Sequence, residues 1–191
     1  MTVGDKTVEI TICDVANIVI FVRASDMGIT ATESAKAISA DSDLIARCKE
    51  LRGKAAKLVG MCEDWEKVDQ QAPGLPLVCM VAAPESEDGD LAARLLLNNS
   101  CHDSMAGTGA VCIGAGSRVE GSVVNQVMRA SALNANVLKI SHPLGSMPIW
   151  VEKATSESTE HAFNTLSFVR TSRRIMEGVA YVPEEVWDGK L

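Results

Sequence analysis

Two stretches near the N-terminus have the apolar patterns of neighbouring β-strands. Residues 7–14 alternate between apolar side chains on one face and polar side chains on the other, which predicts a half-buried strand. Residues 18–22 are continuously apolar and predict a more deeply buried strand. Asn17 lies at the junction between the two, where the chain must turn.

The clearest helical pattern covers residues 42–68. Its apolar side chains recur at spacings of three and four, which is the stripe of an amphipathic helix, and Ser42 is a candidate N-cap. The stripe consists of Leu44, Cys48, Leu51, Ala55, Leu58, Cys62 and Trp65. Gly53 lies inside this segment at a cost of about 1 kcal/mol relative to alanine. The pattern predicts one long helix packed against a sheet or another helix.

Further apolar runs predict additional strands. Strands are expected at residues 77–83, 137–140 and 147–152, with a tight turn at residues 142–145, His-Pro-Leu-Gly. Residues 91–97 fit a strand or a helix equally well, because periodicity cannot decide so short a run.

Three other segments are less regular. Residues 122–127 favour an extended or mixed conformation, residues 153–160 a hairpin loop, and residues 164–181 one or two strands.

A stretch rich in small residues has the strongest chemical content. Gly107, Thr108 and Gly109 open a run of small apolar side chains, residues 110–115, that predicts the beginning of a buried helix. A helix N-terminus carries unpaired N–H groups and the positive end of a dipole, so it can hold a carboxylate or phosphate. Glycines at such a place more commonly serve close packing against a sheet, and both interpretations stay open from these residues alone.

Taken together, the elements are many strands, one long helix and one short helix preceded by glycines. The helices are segregated rather than alternating with strands, which favours an α+β fold over a doubly wound α/β fold. The sequence contains no internal repeat or convincing linker, so residues 1–191 are expected to form a single domain.

Composition narrows the function classes. The 191 residues carry a net charge of −7, so a nucleic-acid surface is not expected. No apolar run reaches the roughly 18 residues of a membrane span, and the N-terminus lacks a signal-peptide pattern. Six cysteines without a Cys-x-x-Cys motif predict reduced thiols and a cytoplasmic location.

Several reactive side chains lie near the glycines. Cys101, His102 and Cys112 do not have zinc spacing, so no metal is expected. A nucleophilic pair of Cys101 and His102 is open, although adjacent residues seldom adopt the geometry that activates a thiolate. Arg170, which forms a basic cluster with Arg173 and Arg174, fits a solvated strand face or a clamp for a polycarboxylate.

Several segments, in order along nearly the whole chain, resemble the PrpF family of 2-methylaconitate cis-trans isomerases and 4-oxalomesaconate tautomerases. They are Cys13-Asp-Val-Ala-Asn17 with Phe21-Val-Arg-Ala24, residues 26–33, Arg52-Gly-Lys-Ala-Ala56, His102 with residues 108–112, Gly121-Ser-Val-Val-Asn125, His142-Pro-Leu-Gly145 and residues 170–178. The resemblance covers only the second half of such proteins. It implies a diaminopimelate-epimerase-like fold, in which a barrel-like sheet wraps around a central helix.

The resemblance also implies an activity and a site. Family members move a double bond in a small di- or tricarboxylate by proton transfer, without metal or organic cofactor. The residues expected to bind such a substrate are Ser104, Met105, Ala106, Gly107, Thr108, Gly109 and Asn17. The family's usual catalytic Cys and Lys belong to the first half and have no counterpart here, and Ala106 stands where related epimerases carry a cysteine. The remaining catalytic candidates are therefore Cys101, His102 and Cys13.

Two functional hypotheses follow from the resemblance. The first is an isomerase of which this chain supplies the substrate-binding C-terminal half, paired with an N-terminal half or with a second copy. The alternative is a non-catalytic module for carboxylate binding or oligomerisation, as a degenerate or truncated family member.

Overall fold

A computed structural model describes residues 1–154 and 163–190 of the chain. The strands of this part are β1 (Thr2–Val3), β2 (Lys6–Thr7), β3 (Ile10–Val15), β4 (Asn17–Arg23), β5 (Leu77–Ala82), β6 (Leu91–Leu97), β7 (Ser100–Cys101), β8 (Val137–His142), β9 (Gly145–Lys153) and β10 (Phe163–Phe168). The helices are α1 (Ala35–Ala40), α2 (Ser42–Leu58), α3 (Val68–Gln71), α4 (Gly107–Ser117) and α5 (Val123–Val127). Single 3-10 turns lie at Ala24–Met27, Trp65–Lys67 and Ala130–Ala132.

One large mixed sheet organises the fold. Its strands follow the order β10-β9-β8-β6-β5-β4-β3, and the short β7 pairs with the end of β6. Neighbours are antiparallel except for β4 with β5 and β6 with β8, which are parallel. The two outermost strands, β3 and β10, both pack on α4, so the sheet curves around that helix. The predicted α+β class and central helix are therefore confirmed.

The two faces of the sheet bury separate cores. On the inner face, α4 and α5 pack with side chains such as Phe21, Leu95 and Ile149. On the outer face, α1 and α2 pack with side chains such as Ile20, Met80 and Leu51. Strand β3 is covered on both faces, because Ile12 packs toward the outer core and Cys13 toward the inner one. Its predicted polar face is thus turned toward α4 and α5.

Helix α4 is almost completely enclosed, and its glycines make this possible. A Cβ added at Gly109 would lie 2.7 Å from Leu95 Cδ1, and one at Gly114 would lie 2.9 Å from Ile149 Cδ1. At Gly107 an added Cβ would collide with the ring of Phe168 in β10. The interpretation of these glycines as close-packing residues is therefore confirmed by the sheet that wraps them.

The long helix is shorter than its sequence pattern predicted. It ends at Leu58 rather than at residue 68, because the chain reverses at Gly60, whose φ of +78° is left-handed. Cys62 and Trp65 then return along the helix as a separate segment that packs against it. The N-cap is Asp41, whose carboxylate accepts the N–H of Leu44 at 2.9 Å, instead of Ser42.

Other predictions are settled by the observed elements. Residues 91–97 form a strand, and the turn at residues 142–145 joins β8 to β9 as predicted. The prediction for residues 122–127 was wrong, since Ser122 caps a helix there by accepting the N–H of Asn125. The strand predicted over residues 164–181 ends at Phe168, and residues 169–190 contain no helix or strand.

Most of the hairpin loop expected at residues 153–160 lies outside the described residues. Among the residues that are described, none of the helices is long and apolar enough to span a membrane.

The fold makes a stability prediction at Gly53. In Gly53→Ala the new Cβ would collide with the backbone carbonyl of Trp65, which cannot move aside like a flexible side chain. We expect the free energy of unfolding to fall by about 1–3 kcal/mol, although alanine is the better helix former. Chemical denaturation measures this change.

A matched control separates packing from helix propensity. Ala46 is an exposed position of the same helix, so Ala46→Gly should cost only about 1 kcal/mol. A Gly53→Ala variant as stable as the parent would contradict the packing explanation for this glycine.

Candidate functional site

The turn between β3 and β4 places Asn17 beside the central helix. Val15 and Asn17 are register partners, so only Ala16 lies between the two strands. Ala16 has a φ of +66°, a left-handed conformation that costs a non-glycine residue about 1–2 kcal/mol. A strained residue of this kind is kept where the surrounding structure requires the tight turn.

Asn17 contacts the first turn of α4 directly. Its Nδ2 donates a hydrogen bond of 2.8 Å to the hydroxyl oxygen of Thr108, which is exposed. The N-cap residue is Ala106, and no side chain caps the helix there. The first N–H groups of α4 are consequently free of an intrahelical or capping partner. We call this region, formed by Asn17 and residues 104–109, the α4 entrance.

The structure brings the predicted substrate-binding residues together but does not expose them equally. Thr108 is exposed, and Asn17, Ser104 and Ala106 are half-buried. Met105 is only 4% exposed and belongs to the inner core. Gly107 and Gly109 are buried against Phe168 and Leu95, so they can offer backbone N–H groups but no open surface.

The segment ahead of α4 is held by His102. The Nδ1 atom of His102 accepts a hydrogen bond of 3.2 Å from the backbone N–H of Ser104. The backbone N–H of His102 donates to the carbonyl of Leu95 at 2.8 Å. These bonds fix the short loop that leads from β7 to the α4 entrance.

Cys101 and Cys13 occupy opposite sides of the sheet. Cys101 is 7% exposed and packs in the outer core, where Arg94 Nη2 donates to its Sγ at 3.3 Å. Burial raises the pKa of the Cys101 thiol, against the opposing effect of Arg94. Cys13 is half-buried and packs toward α4, on the side of the α4 entrance.

Cys13 has a thiol partner that sequence reasoning did not identify. Cys112 lies one helical turn beyond Thr108, and its Sγ donates to the carbonyl of Cys13 at 3.3 Å. A hydrogen bond from Cys112 lowers the pKa of the Cys13 thiol, partly opposed by burial. The same interaction raises the pKa of Cys112. Of the two thiols, Cys13 is therefore the one that more readily becomes a thiolate.

A basic side chain lies near the α4 entrance. The guanidinium of Arg170 is 4.9 Å from the centre of the Phe168 ring, and that ring packs on Gly107. Arg174, from the same predicted cluster, pairs with exposed Glu177 at 3.0 Å, as a solvated face would. The sequence alone did not show which arginine lies near the helix. Arg170 is held there by Phe168, and the position of Phe168 depends on the fold.

The part of the chain that the structure describes contains no cluster of three or more His, Cys, Asp or Glu side chains arranged to hold an ion. All six cysteines are free thiols. The polar groups at the α4 entrance are the hydroxyls of Ser104 and Thr108, the side-chain amide of Asn17 and the first backbone N–H groups of the helix, which suit anion binding.

Comparison with known proteins gives a consistent set of relatives. A family model described as PrpF protein matches residues 1–183. The 3-methylitaconate isomerase of Eubacterium barkeri is 34% identical over 187 residues, which cover 92% of this chain and 48% of that protein. The 2-methyl-aconitate isomerase of Shewanella oneidensis is 28% identical over 176 residues, covering 86% of this chain and 43% of that protein.

A solved structure agrees with these sequence relatives. The crystal structure of a methylitaconate-delta-isomerase superposes with a TM-score of 0.83 and 30% identity. The superposed residues cover 97% of this chain and 49% of the isomerase chain. The chain thus spans about half the length of the relatives it matches.

The thiol pair makes a prediction about cysteine reactivity. Cys13 is half-buried with a lowered pKa, whereas burial raises the pKa of Cys48 to about 12. Iodoacetamide attacks the thiolate, so Cys13 should be alkylated first and at a lower pH than an ordinary thiol. Peptide mass spectrometry of timed samples across a pH series measures this order.

Removing the partner thiol tests whether Cys112 lowers the pKa of Cys13. In Cys112→Ala the hydrogen bond is lost, so the pKa of Cys13 should rise and its alkylation profile should move to higher pH. Cys48→Ala, on the far side of the sheet, should leave the profile in place. An unchanged profile in Cys112→Ala would contradict the assigned role of that thiol.

Proposed function

The chain belongs to the PrpF protein family, and from that premise we propose that it supplies one half of an isomerase that shifts a double bond in a small di- or tricarboxylate. The resemblance found in the sequence and the diaminopimelate-epimerase-like fold expected from it are both confirmed. The names of its relatives support an isomerase of methylitaconate- or methylaconitate-type substrates over a non-catalytic module. The reaction uses proton transfer by side chains and no cofactor.

The observation that carries this proposal is the hydrogen bond between Asn17 and Thr108 at an uncapped helix N-terminus. Thr108 uses its oxygen to accept from Asn17, so its hydroxyl hydrogen is available to a ligand. Free N–H groups of α4 lie beside it, and together they suit a carboxylate. Arg170, over the Phe168 ring, adds a positive charge near the same place.

This arrangement would assist proton removal as well as binding. When a base takes a proton from the carbon next to a carboxylate, negative charge spreads onto the carboxylate oxygens. Donors that already point at those oxygens stabilise that charge without reorganising. The electron pair moves to form the shifted double bond, and a proton is returned at the other end of the allylic system.

We assign the proton-transfer role within this chain to Cys13. Cys13 is the candidate that combines partial exposure, a position toward α4 and a lowered pKa. Cys101 lies in the outer core, and the Nδ1 of His102 already accepts a hydrogen bond from the backbone N–H of Ser104. A second acid or base is expected from outside this chain, because double-bond migration needs both removal and return of a proton.

The chain corresponds in this proposal to the C-terminal half of its relatives, as one domain over residues 1–191, and pairs with an N-terminal half or a second copy. Residues 169–190 support such a partner, because their apolar side chains are uncovered. Ile175 is 86% exposed, Tyr181 94% and Trp187 52%. Large apolar side chains exposed within one short segment are candidates for contact with a partner. The proposed location is the cytoplasm, which suits six free thiols.

Exchange of substrate protons in heavy water tests the proposed activity. The chain is assayed with methylitaconate and with aconitate, alone and together with the first half of the Eubacterium barkeri isomerase as a separate chain. We expect deuterium to enter the substrate at the carbon next to a carboxylate. Absence of exchange in every combination would contradict the proposal.

Variants of Thr108 test whether the α4 entrance binds the substrate carboxylate. Thr108→Val keeps the shape but removes the hydroxyl, and exchange should fall about tenfold or more because Asn17 and the substrate both lose a partner. Thr108→Ser keeps the hydroxyl and should retain most of the activity. Equal rates for the valine and serine variants would place the carboxylate elsewhere.

The assignment of Cys13 has its own test. Cys13→Ser should lower exchange by about 100-fold or more, the usual contribution of a positioned acid or base. Cys48→Ser, in the outer core, serves as the control for a cysteine remote from the α4 entrance. Full activity of Cys13→Ser would remove this residue from the mechanism.

A further inference from the structure

Two cysteines that are distant in sequence meet where β3 packs on α4. Cys13 lies in β3 and packs toward the helix, and Cys112 lies in α4. The Sγ of Cys112 is 3.3 Å from the carbonyl oxygen of Cys13, and the two thiols hydrogen-bond to each other. The sulfur atoms of a disulfide are about 2 Å apart, so a bond between these side chains needs only a short further approach.

The two thiols differ in their access to small molecules. Cys13 is half-buried, whereas Cys112 has no exposed surface. The hydrogen bond from Cys112 lowers the pKa of Cys13, so Cys13 more readily becomes a thiolate, which is the form that oxidants attack. A small oxidant therefore meets a reactive sulfur at Cys13 and a second thiol directly behind it.

The other cysteines are poorer targets for oxidation. Cys79 is fully buried in the inner core, and burial raises its pKa. Cys48 and Cys101 are buried in the outer core, and burial raises the pKa of both. Cys62 is buried in a separate small core. Of the six cysteines, all of which the structure describes, Cys13 alone combines partial exposure with a neighbouring thiol on its own side of the sheet.

We propose that Cys13 and Cys112 form a redox modification site, at which a hydroperoxide oxidises Cys13 and Cys112 then closes an intramolecular disulfide. An accessible thiolate beside a resolving thiol is the arrangement that redox-sensitive cysteines have in common. The hydroperoxide is the only co-reactant that the modification needs.

The chemistry balances in two steps. The Cys13 thiolate attacks one oxygen of hydrogen peroxide, the O–O bond breaks, hydroxide leaves, and Cys13 becomes a sulfenic acid. The sulfur of Cys112 then attacks the sulfur of Cys13, the S–O bond breaks, and the oxygen leaves as water with the thiol proton of Cys112. Overall the two thiols lose two electrons and two protons, and the peroxide is reduced to two molecules of water.

The disulfide has a consequence for the isomerase. It joins β3 to α4 beside the α4 entrance and removes the thiol to which we assign proton transfer. Oxidation therefore stops the reaction, and a dithiol reductant restores it. This consequence rests on the proposed function, whereas formation of the disulfide does not.

Mass spectrometry of the 191-residue chain tests for the disulfide. The reduced chain is treated with stoichiometric hydrogen peroxide, and its intact mass should fall by the mass of two hydrogen atoms. The remaining thiols are then alkylated and the chain is digested with trypsin. Cys101 and Cys112 lie on one tryptic peptide, residues 95–118, so fragmentation of the linked peptides is needed to assign the bond to Cys13 and Cys112.

Two variants separate the two oxidation steps. In Cys112→Ala the sulfenic acid has no resolving thiol, so the fraction of oxidised Cys13 that dimedone traps should rise by at least about tenfold. Cys48→Ser, in the outer core, should form the disulfide as the parent does. If Cys112→Ala does not fold, the linked peptides of the parent decide the question.

Exchange of substrate protons in heavy water tests the consequence for activity. Exchange should fall by at least about tenfold when the disulfide is complete, and dithiothreitol should restore it. Unchanged exchange by the fully oxidised chain would contradict the control of activity. Absence of exchange in the reduced chain would contradict the proposed function, and the masses alone would still decide whether the disulfide forms.

Four results would overturn the modification site itself. They are free Cys13 and Cys112 thiols after peroxide treatment, direct conversion of Cys13 to a sulfinic acid, a disulfide between Cys112 and Cys79, or a disulfide between the Cys13 residues of two chains that increases with protein concentration.

Discussion

The structure depends on how closely the sheet approaches its central helix. Helix α4 is enclosed because Gly109 and Gly114 leave room for Leu95 and Ile149, and Gly107 leaves room for Phe168. Larger side chains would push the strands outward and open the inner core, since a packed interior cannot accommodate added methyl groups without strain. The small residues of α4 are therefore a condition for the curvature of the sheet, and the sheet edges β3 and β10 both rest on this helix.

The same packing creates the α4 entrance. Because β3 lies against α4, the strained turn at Ala16 delivers Asn17 to Thr108, and one turn further along Cys13 meets Cys112. Because β10 lies against Gly107, Phe168 brings Arg170 toward the helix N-terminus. Close packing and anion binding were alternatives when only the glycines were considered. In the folded chain the packing of this helix is what positions the groups proposed to bind a carboxylate.

The sequence predicted well those features that repeat locally. Alternation and apolar runs located β3, β4, β5 and β9, and the order of family motifs indicated the fold. Features that depend on distant contacts could not be predicted. The stripe of α2 continued past Leu58 because Cys62 and Trp65 pack on the same helix after the reversal at Gly60. Similarly, no local pattern joins Cys13 to Cys112 or identifies Phe168 as the support of Arg170. An arginine inside the apolar run of β6 was a visible signal, but its burial emerged only from the sheet.

The central claim is that the α4 entrance holds a substrate carboxylate through Asn17, Thr108 and the first N–H groups of the helix. The most direct measurement is an NMR titration of the isotopically labelled chain with aconitate, following backbone amides and the Asn17 side-chain amide. The account predicts saturable shifts of the Gly107, Thr108 and Gly109 amides together with the Asn17 Nδ2 signals. Shifts that avoid these groups, or no saturable shifts at all, would contradict it.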